Sequence, residues 1–156
     1  LRLLYEEYSH EKRRSEHLDS KSGVALSALI AFEVGFVPTV ASRLMNEVKL
    51  FMFDMLLVLF VVSNSLIFLS FIFFLRSLLA KKFLALGVNT IVDKGDAFLK
   101  IDDLWGSFAP HYKEIICENK AMNDIKARYM NTGLVLCVIG SLLMFVVFCS
   151  ARLLLK

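Results

Sequence analysis

The chain has 156 residues, 57% of them hydrophobic, and a formal net charge of +3. A soluble globular domain is closer to about 45–50% apolar, so this composition excludes an ordinary soluble enzyme. The segments outside the apolar stretches are too short to form a separate domain with a sizeable core. The sequence contains no Gly-rich phosphate loop, nucleophile elbow or His/Cys metal motif. We therefore expect no catalytic residues, no metal, no cofactor and no direct binding of nucleic acid.

Residues 1–21 are predicted to form a charged cytoplasmic helix, because no Pro or Gly interrupts them and their charged residues favour or pair along a helix. The basic residues that are candidates for lipid-surface or assembly contacts are Lys12, Arg13, Arg14 and Lys21. Each Lys or Arg near an anionic lipid surface contributes about 1 kcal/mol to binding. The plainer interpretation is a solvated helix face that anchors the first span at the membrane interface.

Three segments are long and apolar enough to cross a bilayer as helices: residues 22–42, 55–75 and 131–151. The second and third contain no charged residue, and the first contains only Glu33. About twenty residues at 1.5 Å each match a hydrocarbon core of about 30 Å. The predicted fold is an all-α integral membrane protein with three transmembrane helices. An antiparallel hairpin covers residues 22–80, with Pro38 kinking or ending its first span, and a C-terminal transmembrane helix covers residues 132–156.

Residues 81–131 are predicted to form a cytoplasmic helical segment between the second and third spans. A short amphipathic helix is expected over residues 96–105, and Ser107 is a candidate N-cap for a further helix with Pro110 in its first turn. Apolar residues then recur at helical spacing. We therefore expect this last helix to continue without a break into the third span.

The distribution of Lys and Arg predicts the orientation of the spans. Five basic residues precede the first span, nine lie between the second and third, and only two lie in the loop between the first and second. The positive-inside rule then assigns the N-terminus and residues 81–131 to the cytoplasm of a multi-pass protein of the inner (plasma) membrane. Two basic residues after the third span argue against an external C-terminus.

Four polar residues inside or beside the predicted spans are candidates for a pore or for interhelical contacts: Glu33, Asp54, Ser63 and Asn64. If the hairpin turns near Met45, Glu33 and Asp54 lie at similar depth, within about one helical turn of each other. In an oligomer these two acids would line a cation path. Alternatively, Glu33 is protonated and hydrogen-bonded across a helix interface while Asp54 reaches the headgroups. Ser63 and Asn64 are typical of side chains that join helices.

The segment EKRRSEHLDSKSGVALSALIAF, residues 11–32, resembles the motif that leads into the first span of small bacterial membrane effectors of anti-phage defence, the Pycsar-type effectors and the related SLATT domains. In these proteins a charged helix leads to an Asp-x-Lys-small-small step, which Asp19, Lys21, Ser22 and Gly23 occupy here. The order of hairpin, cytoplasmic helices and final span is also similar along nearly the whole chain.

This resemblance implies a homo-oligomeric effector that permeabilises or depolarises the inner membrane during abortive infection. Its expected partners are the lipid bilayer, further copies of itself and a signalling or soluble defence protein, and the signal would be read by the middle segment, by the oligomer or by that other protein. The chain departs from the family pattern because it contains no recognisable nucleotide-binding domain. The alternative is a non-enzymatic membrane anchor or regulatory subunit of a complex with a soluble partner.

Overall fold

The computed structural model describes residues 2–47, 50–80, 84 and 101–153, and nearly all of them are helical. The helices are α1 (Arg2–Gly35), α2 (Val37–Glu47), α3 (Leu50–Leu79) and α4 (Ile101–Leu153). The part of the predicted amphipathic helix over residues 96–100 lies outside the described residues. No strand occurs in the described part of the chain.

The boundary between α1 and α2 is a local interruption rather than a turn. The Phe36 amide donates to the Phe32 carbonyl at 2.8 Å, and the Val40 amide donates to the Phe36 carbonyl at 3.1 Å. Pro38 has no amide hydrogen, so one helical bond between these two is missing. Pro38 therefore interrupts the helix without ending it, and the chain stays helical to Glu47.

The longest helix is α4, with 53 residues. At 1.5 Å per residue it extends for about 80 Å, far more than a bilayer is thick. The predicted helix start at Ser107 is wrong, because residues 101–110 already belong to this helix and Pro110 lies inside it. Losing one amide donor does not outweigh the bonds of so long a helix. The expected continuity into the third apolar segment is confirmed.

The central feature of the bundle is an antiparallel seam between α3 and α4. Buried residues recur on both helices at intervals of three, four or seven, which is the spacing of a coiled-coil seam. On α3 they are Leu56, Ser63, Ile67, Ser70, Phe74 and Ser77. On α4 they are Ile116, Asn119, Asn123, Lys126, Gly133, Gly140, Met144, Val147 and Ala151.

The first helix packs against this seam. The ring of Phe36, just after α1, lies 5.4 Å from that of Phe148, and the Asn123 amide contacts Glu11, so α1 and α4 run in the same direction. The Ser22 and Ser77 hydroxyls lie 3.0 Å apart, while Leu29 lines a groove with Ile67, so α1 and α3 run in opposite directions.

Three helices of the structure are long and apolar enough to span a membrane. Their outward faces are apolar too, and the exposed residues include Val58, Val61, Phe68, Val135, Leu142 and Phe145. A contiguous apolar surface of this kind is typical of contact with lipid. The chain therefore has the character of a multi-pass membrane protein.

Candidate functional site

A ladder of hydrogen bonds joins α3 to the backbone of α4. Three serine hydroxyls donate to carbonyl oxygens: Ser63 to Gly140 at 2.7 Å, Ser70 to Gly133 at 2.7 Å and Ser77 to Lys126 at 3.2 Å. The ladder ends where the Leu84 amide donates to the Asn119 side chain at 2.9 Å. All three serine side chains are fully buried. The geometry makes Ser63 an interhelical contact, which is one of the two roles expected for it.

The two glycines of the ladder allow α3 and α4 to approach closely. A Cβ atom on Gly140 would lie 2.7 Å from Cγ1 of Ile67 and 3.2 Å from the Ser63 carbonyl oxygen, and one on Gly133 would lie 3.1 Å from the Phe74 ring. A side chain at Gly140 would therefore force a neighbour to shift, and one at Gly133 would be tightly packed. Small residues at such positions are common where helices pack in membranes.

A groove of about 340 Å³ lies between α1 and α3 and contains the acid of the first apolar segment. Apolar side chains, among them Leu29, Phe68 and Phe71, form most of its wall. Glu33 and Asn64 are its polar groups. The buried Oε1 atom of Glu33 has no hydrogen-bond partner among the described residues. The Asn64 amide is turned toward its own helix, where it donates to the Phe60 carbonyl at 2.9 Å.

Asp54 lies away from this groove. It is exposed on α3, ten residues before Asn64 and therefore about 15 Å from it along the helix. The predicted match in depth between Glu33 and Asp54 is thus replaced by a match between Glu33 and Asn64. The reason is the position of the turn: α2 continues to Glu47, beyond the predicted turn near Met45, and this shifts the pairing of the two helices.

Near the N-terminal half of α1, polar side chains join α1 to α4. We call this group the polar cluster; its members are Glu11, Arg14, Ser15, Asp19, Asn123, Asp124 and Lys126. The Asn123 amide donates to the Glu11 carboxylate at 2.8 Å and to the Glu11 carbonyl at 2.9 Å. The Arg14 guanidinium donates to Asp124 at 2.7 Å and lies 3.5 Å from Glu11. Polar pairs therefore contribute directly to the packing of α1 against α4 in this region.

Lys126 is the most deeply buried cation of the described residues, with a side chain only 3% exposed. Its ammonium donates to the two oxygens of the Asp19 carboxylate at 2.8 and 3.0 Å and to the Ser15 hydroxyl at 3.3 Å. These contacts satisfy its three donors, as burial of a charge requires.

The basic residues of α1 divide into two groups. The hydrogen bond to Asp124 and the nearby Glu11 carboxylate raise the pKa of Arg14, so its charge is committed to contacts within the chain. Lys12, Arg13 and Lys21 are exposed. Whether these four residues contact lipid or a partner stays a prediction; within the chain, Arg14 pairs with Asp124 and is 34% exposed.

Sequence reasoning missed the partners on α4, namely Asn123, Asp124 and Lys126. A detectable signal was present, because Lys126 continues the seven-residue spacing of Gly133 and Gly140, and Asn123 lies three residues before Lys126. No group of three or more His, Cys, Asp or Glu side chains in the described part of the chain is arranged to hold a metal ion.

Comparisons of this chain with protein families, with curated proteins and with solved structures give no match.

Proposed function

We propose that the chain is a homo-oligomeric membrane effector that permeabilises or depolarises the bacterial inner membrane in anti-phage defence. The observation that carries the proposal is the Glu33 groove. An acid at this depth normally faces a partner or water, and a buried polar atom without a hydrogen bond costs several kcal/mol in hydrocarbon. The groove therefore favours a state in which another group meets Glu33. The defence context rests on the resemblance of residues 11–32 alone.

The partner that fits the groove is a second copy of the chain. Beside the groove, the outward face of α1 carries exposed small residues at helical spacing: Ser27, Ala28, Ala31 and Gly35. A Cβ atom on Gly35 would meet nothing within 4 Å, so packing inside the chain does not require glycine there. Small residues at these intervals allow close helix approach in lipid.

Repetition of this contact around an axis would bring one Glu33 per copy to a shared path. A ring of carboxyl groups favours cations over anions. In this arrangement the membrane is crossed by the hairpin, which α1 and α2 form with α3, and by the second half of α4. The polar cluster lies in the cytoplasm. The N-terminal part of α1 and the cytoplasmic part of α4 then receive the signal.

The test compares Glu33→Gln with Asp54→Asn, which removes an exposed acid of α3 that does not line the groove. The intact protein and Asp54→Asn are expected to form a ring of identical chains in detergent, to depolarise cells that express them and to release K⁺ from loaded vesicles. Glu33→Gln is expected to lower K⁺ release by about tenfold, the change for about 1.4 kcal/mol of lost cation stabilisation.

A monomer in detergent together with silent vesicles would contradict the proposal. Equal K⁺ release from Glu33→Gln and the intact protein would show that Glu33 does not line the path. Purification with an unrelated soluble protein in a fixed ratio, without ion flux, would instead identify a membrane anchor or regulatory subunit.

A further inference from the structure

A second cavity, of about 230 Å³, lies between the cytoplasmic part of α1, the end of α3 and α4. Its lining combines two ammonium groups, two carboxylates, one hydroxyl and two apolar side chains. These belong to Lys12, Lys126, Glu16, Asp19, Ser15, Leu78 and Ala80. The formal charges of the lining groups cancel.

The cavity lies at the level of lipid headgroups if α3 spans the bilayer. The apolar segment of α3 ends at Leu75 and is followed by Arg76. Leu78 and Ala80 lie three to five residues beyond Leu75, or about 5–8 Å along a helix. The headgroup layer on each side of the hydrocarbon core is about 5–8 Å thick. At this depth, the ligands closest to the cavity are therefore lipid headgroups.

Several lining groups retain unused binding capacity. The Ser15 hydroxyl accepts a hydrogen bond from Lys126, which leaves its own proton for another acceptor. Lys12 and Glu16 are exposed and make no ion pair with any residue that the structure describes. The Asp19 carboxylate is 43% exposed beside its bond to Lys126. The cavity thus offers a cation and a hydroxyl donor together with carboxylate acceptors.

We infer that this cavity binds a phosphate ester carrying a primary ammonium group, supplied by a phospholipid headgroup of the phosphoethanolamine type. The phosphate takes the Ser15 hydroxyl and the Lys12 ammonium, and the ligand's ammonium donates to Glu16 and Asp19. A purely anionic headgroup gains from Lys12 but meets two carboxylates, and a choline headgroup has no N–H to donate to them. The inference is independent of the proposed function, since it concerns neither self-association nor Glu33.

The test uses the full chain in detergent micelles with added phosphatidylethanolamine, phosphatidylcholine or phosphatidylglycerol, and counts retained lipids by native mass spectrometry. Lys12→Gln and Glu16→Gln each remove one exposed charge of the lining. Arg13→Gln removes a neighbouring exposed charge that does not line the cavity. A thermal unfolding scan checks that all three variants stay folded.

The intact protein and Arg13→Gln are expected to retain phosphatidylethanolamine over the other two lipids. Lys12→Gln and Glu16→Gln are expected to weaken this retention by about three- to tenfold, as for a charge-assisted contact at a partly solvated site. Binding of free phosphoethanolamine with the same dependence on these variants, but no retention of the lipid, would uphold the site and identify a soluble ester as its source.

Equal retention of all three lipids would overturn the inference, as would variants that bind like the intact protein. Preferential retention of phosphatidylglycerol, lowered equally by Lys12→Gln and Arg13→Gln, would also overturn it, because a diffuse basic surface would then explain binding.

Discussion

Replacing Gly140 with Ala tests the close approach of α3 and α4. The added methyl carbon would lie 2.7 Å from Cγ1 of Ile67, 3.2 Å from the Ser63 carbonyl oxygen and 3.3 Å from the Ile67 amide nitrogen. Two of these atoms belong to the α3 backbone, which cannot move independently of the rest of its helix. The steric clash can therefore be removed only if α3 as a whole shifts away from α4.

The size of the effect follows from this geometry. A shift of roughly 0.7 Å would bring the closest contact to an ordinary separation, but it would stretch the 2.7 Å bond from Ser63 to Gly140 beyond the usual hydroxyl–carbonyl range. Overpacking of a filled core costs about 1–3 kcal/mol, and the rigid neighbours favour the upper end. The higher helix propensity of Ala compared with Gly offsets about 0.5–1 kcal/mol of this loss in stability. We expect a net loss of about 2 kcal/mol.

The measurement is the free energy of unfolding in mixed micelles, followed by helical circular dichroism as a denaturing detergent is added. Gly23→Ala is the matched control, because a Cβ atom there meets nothing within 4 Å, and it should be neutral or slightly stabilising. Gly133→Ala should fall between the two, since its neighbour is the edge of the Phe74 ring. Equal stabilities of Gly140→Ala and Gly23→Ala would refute the proposed seam.

Two further predictions concern the polar cluster and use the same unfolding assay. Asp19→Asn leaves the buried Lys126 ammonium without its charged partner and should lower the free energy of unfolding by about 1.5–3 kcal/mol. Adding Lys126→Met to that variant should recover part of this stability. No recovery would contradict the pairing of Lys126 with Asp19. Asn123→Ala removes the amide that donates to Glu11 and should cost about 1–3 kcal/mol, while Asn131→Ala, at an exposed site on the same helix, should change stability by less than about 0.5 kcal/mol. Similar losses for the two asparagine variants would refute a role for the Glu11 contact.

The helices themselves could be predicted because their signal is local. Twenty residues without a charge favour a helix in lipid whatever their tertiary partners, and the predicted second and third segments lie within α3 and α4. The continuity of α4 could be predicted for the same reason, since apolar residues recur at helical spacing past residue 110. The start of that helix could not be predicted. A serine followed three residues later by a proline is compatible with the first turn of a helix and also with a position inside a long one, as for Ser107 and Pro110.

The pairing of helices required a longer-range pattern. The polar triplet at residues 63–65 draws attention by composition, yet composition does not separate its members. Ser63 faces α4, while Ser65 is exposed and donates to the Val61 carbonyl of its own helix at 2.8 Å. Only the seven-residue spacing from Ser63 to Ser70 and Ser77, matched by Gly133 and Gly140, distinguishes them. That spacing is present in the sequence and predicts the seam once it is recognised.

The neighbour of Glu33 depends on where the hairpin turns, which the sequence leaves open. Proline in an apolar segment is compatible with the end of a helix and with an interruption inside one. Here the helix continues beyond Pro38, and the later turn brings Asn64 rather than Asp54 opposite Glu33. A difference of a few residues in the turn thus changes which polar groups of the two helices lie opposite each other.

The polar cluster and the serine ladder should respond differently to salt. The side chains of Arg14 and Asp124 are 34% and 49% exposed, so dissolved ions reach their ion pair, whereas the ladder has fully buried, uncharged serine hydroxyls. The screening length falls from about 10 Å at 0.1 M salt to about 3 Å at 1 M. High salt should therefore loosen the N-terminal part of α1 and leave α3 joined to α4.

Hydrogen exchange measures this difference directly. Between 0.1 M and 1 M salt, we expect several-fold faster amide exchange in residues 3–15 and no change in residues 63–77. Asp124→Asn removes the exposed ion pair and should abolish most of the salt effect while leaving the seam intact. If salt accelerated amide exchange equally along the chain, or did not accelerate it anywhere, the bundle would not be divided into a salt-sensitive α1 contact and a salt-insensitive seam. A movement of α1 against α3 and α4 would also change the groove that contains Glu33, because α1 forms one wall of it.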